Sequence, residues 1–307
     1  MRPWAVCPHV RVVIYSFTCI PAPGPEAQRL ECGSDIMFPL QNFGLASAMM
    51  IVAIIALLCC GAAQGLSTPP PVRSRAVSIT PELTLSVYEL AQPAQLVNDW
   101  SNGVKTASDP FGVVLWPGAL FAARRLCMRP DDVSGSTCCV VGAGTGLEAL
   151  TAAALGASQV IACDINRLTL NLLADAARDH GLKDIETRVF DLCSSEPLPE
   201  ADIYVFADTL YTRELCGHVA RRCRDELWSR GVLRRLLLTT SQQFSWIGEE
   251  FLEILNEPLD GQPKPAGRDW RRLEWEHTKL KSFTGSGILL EDDQTYDAAI
   301  RFIDVVP

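Results

Sequence analysis

A cluster of glycines and the acids that follow it hold the chemistry this chain can be expected to perform. The run Cys138-Cys139-Val140-Val141-Gly142-Ala143-Gly144-Thr145-Gly146-Leu147 reads as a buried strand that breaks into a glycine turn and opens a helix. Glycines at 142, 144 and 146 let the backbone turn sharply and let a ligand lie against bare main chain. Asp164 closes the next apolar run, Gln159-Val160-Ile161-Ala162-Cys163, and its carboxylate can accept from both hydroxyls of a ribose. Together these describe a site for a nucleoside cofactor.

The glycine spacing narrows the choice. A dinucleotide site reads G-x-G-x-x-G and aims a helix N-terminus at a pyrophosphate. Here the spacing is G-x-G-x-G, the apolar helix Leu147 to Leu155 follows at once, and no basic residue lies near the turn to neutralise a diphosphate. That disfavours a nicotinamide-dependent oxidoreductase. A cofactor without phosphates, S-adenosylmethionine, fits better.

Three segments in fixed order extend the pattern: Leu115-Trp116-Pro117-Gly118-Ala119-Leu120, the turn Gly142 to Leu147, and Ala207-Asp208-Thr209-Leu210-Tyr211. With them the chain resembles the class I, seven-strand methyltransferases. Within that class it is similar to the protein-lysine methyltransferases related to the electron-transfer-flavoprotein β-subunit lysine methyltransferase. The resemblance covers about residues 106 to 307, and the ordered trio is far more specific than the glycine turn alone. One departure stands out: such enzymes often carry an acid two residues before the first glycine, where this chain has Val140. One polar contact to the methionine end of the cofactor is therefore open.

The elements that must position these groups alternate. Strands are expected at Thr137–Val141, Gln159–Cys163, Glu186–Phe190, Ile203–Ala207 and Arg234–Thr239. Helices are expected from Pro117 to about Met128 (stopped by Pro130), Leu147–Leu155, Arg167–His180 with Gly181 as a left-handed cap, Arg213–Trp228, and around Ile247–Leu255. After a Pro/Gly-rich loop, Pro258 to Gly267, two more strands follow at about Arg271–Lys279 and Tyr296–Val305 with no helix between them. This is an α/β fold, a Rossmann-like doubly wound seven-stranded sheet ending in a C-terminal antiparallel hairpin. Leu83 to Leu90 alternates like a strand and is expected in an N-terminal hairpin flanking the active-site mouth, with Ser101 to Pro110 a polar loop.

Ligands of open α/β sheets bind beyond the carboxyl ends of the strands, so Asp164, Asp191 and Asp208 should converge on one crevice. Asp164 should hold the ribose. The resemblance implies that Asp191 accepts from the adenine amine, that Trp116 packs near the cofactor, and that Asp208 and Tyr211 lie at the sulfonium end. There Asp208 can accept a hydrogen bond from an incoming lysine nitrogen, and Tyr211 can shape the channel and contact the methionine moiety. The bland alternative for Asp208 is a cap on the following helix, and for Tyr211 simple packing.

Composition sets the outer limits. With 307 residues, 48% of them hydrophobic and 21% charged, the chain can bury a substantial core. A net charge of −9 argues against general nucleic-acid binding. The clusters Arg221-Arg222-Cys223-Arg224, Arg234-Arg235 and Arg271-Arg272 read as solvated faces or strand-end charges. The 12 cysteines contain no C-x-x-C pair, and neighbours such as Cys138 and Cys139 point to opposite faces of a strand. Buried reduced thiols without structural disulfides are expected, and no metal-ligating cluster emerges. His180 is placed to favour the end of its helix; His218 and His277 have no paired acid.

The chain divides into a leader, 1–65, an extension with the hairpin, 66–105, and the methyltransferase domain, 106–307. Residues 46–63 are apolar apart from Ser47 and end in small residues, a length of roughly 27 Å as a helix, marginal for a membrane anchor and closer to a signal-peptide core. The Ser/Thr/Arg-bearing stretch Leu66 to Arg75 then resembles a transit peptide. Import into an organelle is expected, a plastid first, a mitochondrion or membrane anchoring second. Membrane contact would come only through an uncleaved leader. The favoured reading is transfer of methyl groups to a lysine of a protein partner by a monomeric enzyme. A class I methyltransferase acting on a small molecule and a non-catalytic methyltransferase-like interaction module are the alternatives.

Overall fold

The computed structural model describes residues 71–102, 109–228, 235–258, 272–287 and 292–306. Contacts divide the chain into Met1–Ala63 and Gln64–Pro307, and every described residue lies in the second unit. The apolar stretch 46–63 and most of the expected 258–267 loop lie outside the described residues. Among the described residues no helix is long and apolar enough to cross a membrane.

Strands β1 (Val72–Ser78) and β2 (Thr84–Leu90) pair antiparallel as a separate hairpin. A helix that the sequence reading did not anticipate, α1 (Ala94–Ser101), follows. The main sheet holds β3 (Thr137–Val141), β4 (Gln159–Asp164), β5 (Ile185–Val189), β6 (Ile203–Ala207), β7 (Arg235–Thr240), β8 (Glu276–Gly285) and β9 (Gln294–Val305). Their order across the sheet is β5-β4-β3-β6-β7-β9-β8, parallel from β5 to β7 and antiparallel from β7 through β9 to β8. Order reverses between β3 and β6, the point beyond whose carboxyl ends ligands of open α/β sheets bind. The expected seven-stranded α/β sheet with its C-terminal antiparallel hairpin is the observed fold.

Helices α2 (Pro117–Cys127), α3 (Pro130–Val133), α4 (Leu147–Ala154), α5 (Arg167–Asp179), α6 (Arg213–Trp228) and α7 (Glu249–Asn256) cover the sheet. Pro130 does more than stop a helix: it takes the first position of α3, where its missing N–H costs nothing. The penultimate strand begins at Glu276, five residues later than expected; just before it Leu273 exchanges hydrogen bonds with Asn256 and Trp275 packs on Phe251, both of α7. Gly181 takes φ 65°, the expected left-handed stop after α5. His180, at the end of α5 as expected, sets its Nε2 2.8 Å from Ser86 N and 3.1 Å from the Ser86 carbonyl oxygen, which fastens the hairpin to α5.

Period-2 alternation on buried parallel strands divides the core in two. Cys138 and Val140 of β3 pack with Ala119, Ala122, Ala149 and Leu150 on the α2/α4 face. Cys139 and Val141 pack with Val219, Cys223, Phe251 and Leu255 on the α6/α7 face. Each fully buried aliphatic side chain stabilises the fold by about 1.5–3 kcal/mol. No disulfide joins the described cysteines.

Several arginines read as solvated faces or strand-end charges are structural. Arg235 is the charge that opens strand β7, but it is 1% exposed and pairs with Asp304 at 3.2 Å. Arg222 donates to the carbonyls of Leu192, Ser194 and Glu196 and stacks over Phe190, holding the loop after β5. Val72 to Arg75, the end of the stretch that resembles a transit peptide, form half of β1, where Arg73 and Arg75 both grip buried Glu89.

Candidate active site

The site begins where β3 runs out. Gly142, Gly144 and Gly146 all take positive φ, 69°, 51° and 77°. At Gly142 the requirement is also spatial, since a Cβ would stand 2.5 Å from Thr209 Cγ2 on the loop after β6. Gly144 lies against a second glycine, with the Gly112 carbonyl 3.3 Å from where its Cβ would be. Gly146 is enclosed in the same way by the Leu173 side chain, so the turn is packed closely on the protein's own atoms.

Asp164, the last residue of β4, is buried and bridges the turn to its own strand. Its Oδ2 accepts from Gly144 N–H and its Oδ1 from Asn166 N–H, each at 2.8 Å. Burial lifts its pKa to about 6, against those two main-chain donors, which favour the ionised form. The Thr169 hydroxyl is a third partner, so of a carboxylate's roughly four acceptor positions about one is left, and that hydroxyl would yield where a ligand takes two.

Asp208 follows β6 with φ 51°, an unusual conformation for a side-chain-bearing residue. Its Oδ2 accepts from Gly118 N–H at 2.6 Å and its Oδ1 from Ser241 N–H. It does cap a helix, but the cap is on α2, which precedes it by 90 residues of chain, not on α6, which follows. Burial raises its pKa, while the Ser241 and Gly118 main-chain donors oppose that shift.

Tyr211 joins the site through a residue the sequence reading passed over. Its hydroxyl donates to Asp109 Oδ2 at 2.5 Å, and its ring lies 4.8 Å from Phe111. Burial and the adjacent Asp109 both push its pKa upward. Asn166 Nδ2 donates to the Asp109 carbonyl at 2.7 Å. Asp164, Asn166, Asp109 and Tyr211 are thus one connected network spanning the ends of β4 and β6. Trp116 is half-buried against the small cluster of Leu90, Val113, Val114 and Leu172, and its indole N–H donates to the Phe111 carbonyl at 2.6 Å. That bond holds the 111–116 segment beside the glycine turn.

Asp191 stands apart from this network. It lies two residues beyond β5, exposed, its Oδ1 accepting from Cys193 N–H at 2.8 Å in a local turn. Phe190 N–H donates to the Asp164 carbonyl at 3.0 Å, so Asp191 begins where the β4 edge ends.

Two further residues matter here. Glu89 of the hairpin accepts from Leu115 N–H at 2.7 Å, which ties the hairpin to the 111–116 segment. Glu148, in the first turn of α4, is 2% exposed, and burial lifts its pKa to about 8. A single acid inside the apolar run Leu147 to Leu155 was the available signal for it.

No protein-family model matches the chain. Among curated proteins it is similar to the electron transfer flavoprotein beta subunit lysine methyltransferase of Mus musculus, 25% identical over 124 residues, 40% of this chain and 48% of that protein. The Xenopus laevis protein of the same name is 28% identical over 123 residues, 40% of this chain and 50% of its own. The ribosomal protein L11 methyltransferase of Deinococcus radiodurans is 45% identical over 51 residues, 17% of this chain and 19% of that protein. The chain spans about half the length of the curated lysine methyltransferases it matches. Solved structures similar to it include a Thermus thermophilus 16S rRNA methyltransferase in complex with AdoMet and guanosine, at TM-score 0.42 and 15% identity, covering 76% of this chain and 51% of that one.

Proposed function

We propose that this chain is an S-adenosylmethionine-dependent methyltransferase that acts on a lysine side chain of a protein. The observation that carries the reading is the glycine turn at the end of β3 locked to Asp164 at the end of β4, at the reversal of a seven-stranded sheet. The similarity to curated lysine methyltransferases supports the choice of acceptor.

The residues present suit this cofactor. The glycines hold the positive φ the turn needs and pack it against Thr209, Gly112 and Leu173, Asp164 fastens it from β4, and the turn presents no basic side chain for a diphosphate. Asp164 would take the ribose hydroxyls, with Gly142, Gly144 and Gly146 as the floor, Trp116 as a wall and Asp191 at the adenine edge. When bound, S-adenosylmethionine would supply a sulfonium methyl carbon to which an amine lone pair can bond, the carbon–sulfur electron pair passing to sulfur as the neutral thioether leaves.

The protein's part is alignment and exclusion of water. Asp208, pinned by the Gly118 and Ser241 amides with the Ser241 and Thr240 hydroxyls beside it, would aim a neutral lysine amine by exchanging one of those hydroxyl contacts for the amine N–H. Tyr211, fixed by Asp109, would wall the channel through which that amine arrives.

The test is incubation of the full chain with methyl-tritiated S-adenosylmethionine and an organelle extract, beside an Asp164→Asn variant. Label in a discrete protein band, recovered as methyl-lysine and lost in the variant, is expected. Label confined to small molecules would reassign the acceptor; absence of both cofactor binding and transfer would overturn the reading.

A further inference from the structure

The sequence lacks the acid that the resemblance leads one to expect at position 140, yet the structure buries another acid in the same layer. Val140 points into the α2/α4 face of the sheet, packed with Ala149 and Leu150 of α4. Glu148 sits on that same helix, in its first turn, just past Gly146. Its carboxyl turns back on its own main-chain N–H, and Oε2 has no partner although it is sealed from solvent. The layer around it is otherwise hydrocarbon, and the charged group it feels is Asp208. A buried carboxylate oxygen without a donor is costly, so the site calls for one.

A second orphan borders the same turn. Thr209 Oγ1 is buried without a partner, and the methyl of that side chain fills the space above Gly142. Glu148, Asp208 and Thr209 therefore form a polar group at the β3–β6 side of the glycine turn. Asp164 stands on the β4 side. A ligand whose ribose reaches Asp164 and which crosses the turn must lay its other end between β3 and β6. That end of S-adenosylmethionine bears an ammonium, with three donors and a positive charge.

We propose that Glu148 is the carboxylate that receives the α-ammonium of the cofactor's amino-acid end, the charge having moved from the strand position occupied by Val140 to the facing helix. The inference rests on the cofactor reading above and adds a ligand-binding residue to it. Thr209 Oγ accepts a second ammonium hydrogen, and Asp208 supplies negative potential while remaining bound to Gly118 and Ser241.

The experiment compares three ligands by calorimetry on the full chain and on Glu148→Gln. They are S-adenosylhomocysteine, its desamino analogue, and 5′-methylthioadenosine; all have a neutral sulfur, and only the first bears the ammonium. The unaltered protein should bind S-adenosylhomocysteine about 10- to 100-fold tighter than the desamino analogue, the range of a charge-assisted contact. Glu148→Gln should erase that preference and leave 5′-methylthioadenosine affinity within about 3-fold, a result that also shows the variant folded. A preference that survives Glu148→Gln overturns the proposal, as does equal weakening of all three ligands. A protein that binds all three equally tightly overturns this assignment alone, whereas one that binds none overturns the cofactor reading together with it.

Discussion

Gly118 N–H donates to Asp208 Oδ2 at 2.6 Å, and a Cβ on Gly118 would stand 2.5 Å from that same oxygen. The Trp-Pro-Gly segment and the Asp-x-x-Tyr segment are thus a single joint: proline opens α2, glycine exposes the next amide, and the aspartate caps it. The aspartate reaches that amide only from a backbone held at φ 51°.

Gly118→Ala should break this joint. The added methyl meets Oδ2, Cγ and Oδ1 at 2.5, 2.7 and 2.9 Å, and Ser241 N–H prevents the carboxylate from swinging away. A loss of about 1–3 kcal/mol is expected from the overpacking, with methyl transfer falling at least about tenfold as the acceptor site shifts. Denaturant unfolding and initial rates measure the two, and unchanged stability would show that Asp208 is not held as described.

Binding of an adenosine ligand should depend on the ionisation of Asp164. Its folded pKa is about 6, and the ribose hydroxyls need the ionised carboxylate as acceptor. Affinity for 5′-methylthioadenosine should be level above about pH 7 and fall by up to about tenfold per unit below pH 6. Asp164→Asn should remove that limb; a profile that stays flat in the unaltered protein refutes the assignment.

Glu148 should make the ligand-free protein less stable as pH rises. Its pKa is raised from 4.5 unfolded to about 8 folded, so between those values the folded state binds more protons and unfolding becomes easier with increasing pH. Glu148→Gln removes the ionisation and should gain about 1–3 kcal/mol over the unaltered protein at pH 8, and little at pH 4.5. Melting curves of both proteins across that window decide it; parallel curves would mean Glu148 has a partner when folded.

Glu89→Ala should loosen the segment above the glycine turn. It removes a buried carboxylate that holds Arg73 at 3.0 Å, Arg75 at 2.7 Å and Leu115 N–H at 2.7 Å. Both arginines keep Asp293 as a partner, so the loss of about 1–3 kcal/mol comes from the buried hydrogen bonds that Glu89 no longer accepts, and the Leu115 amide should lose hydrogen-exchange protection. Retained protection at Leu115 would show that the hairpin does not restrain the segment.

The strands, the helices and the glycine turn were legible because their causes are local. Apolar runs of five or six residues such as Ile203–Ala207, an Asn166 cap, and Gly181 after α5 each act within a few residues. Asp164 and Asp208 could be placed at strand ends for the same reason, and a run of strand and helix alternation implies the sheet that brings strand ends together. What those aspartates touch was not legible. Asp208 capping α2, Asp109 holding Tyr211 and Glu89 holding Leu115 each join residues 26 to 102 positions apart. No periodicity records such pairs, because they arise only when packing closes the distance. The burial of Glu148 has the same origin. Its local sequence allows a solvated first-turn acid, and only the packing of α2 and α4 over β3 strips the water from it. Sequence alone therefore determined the sheet, its turn and its acidic strand ends; tertiary structure decided which of those acids are spent on the scaffold and which retain the capacity to bind.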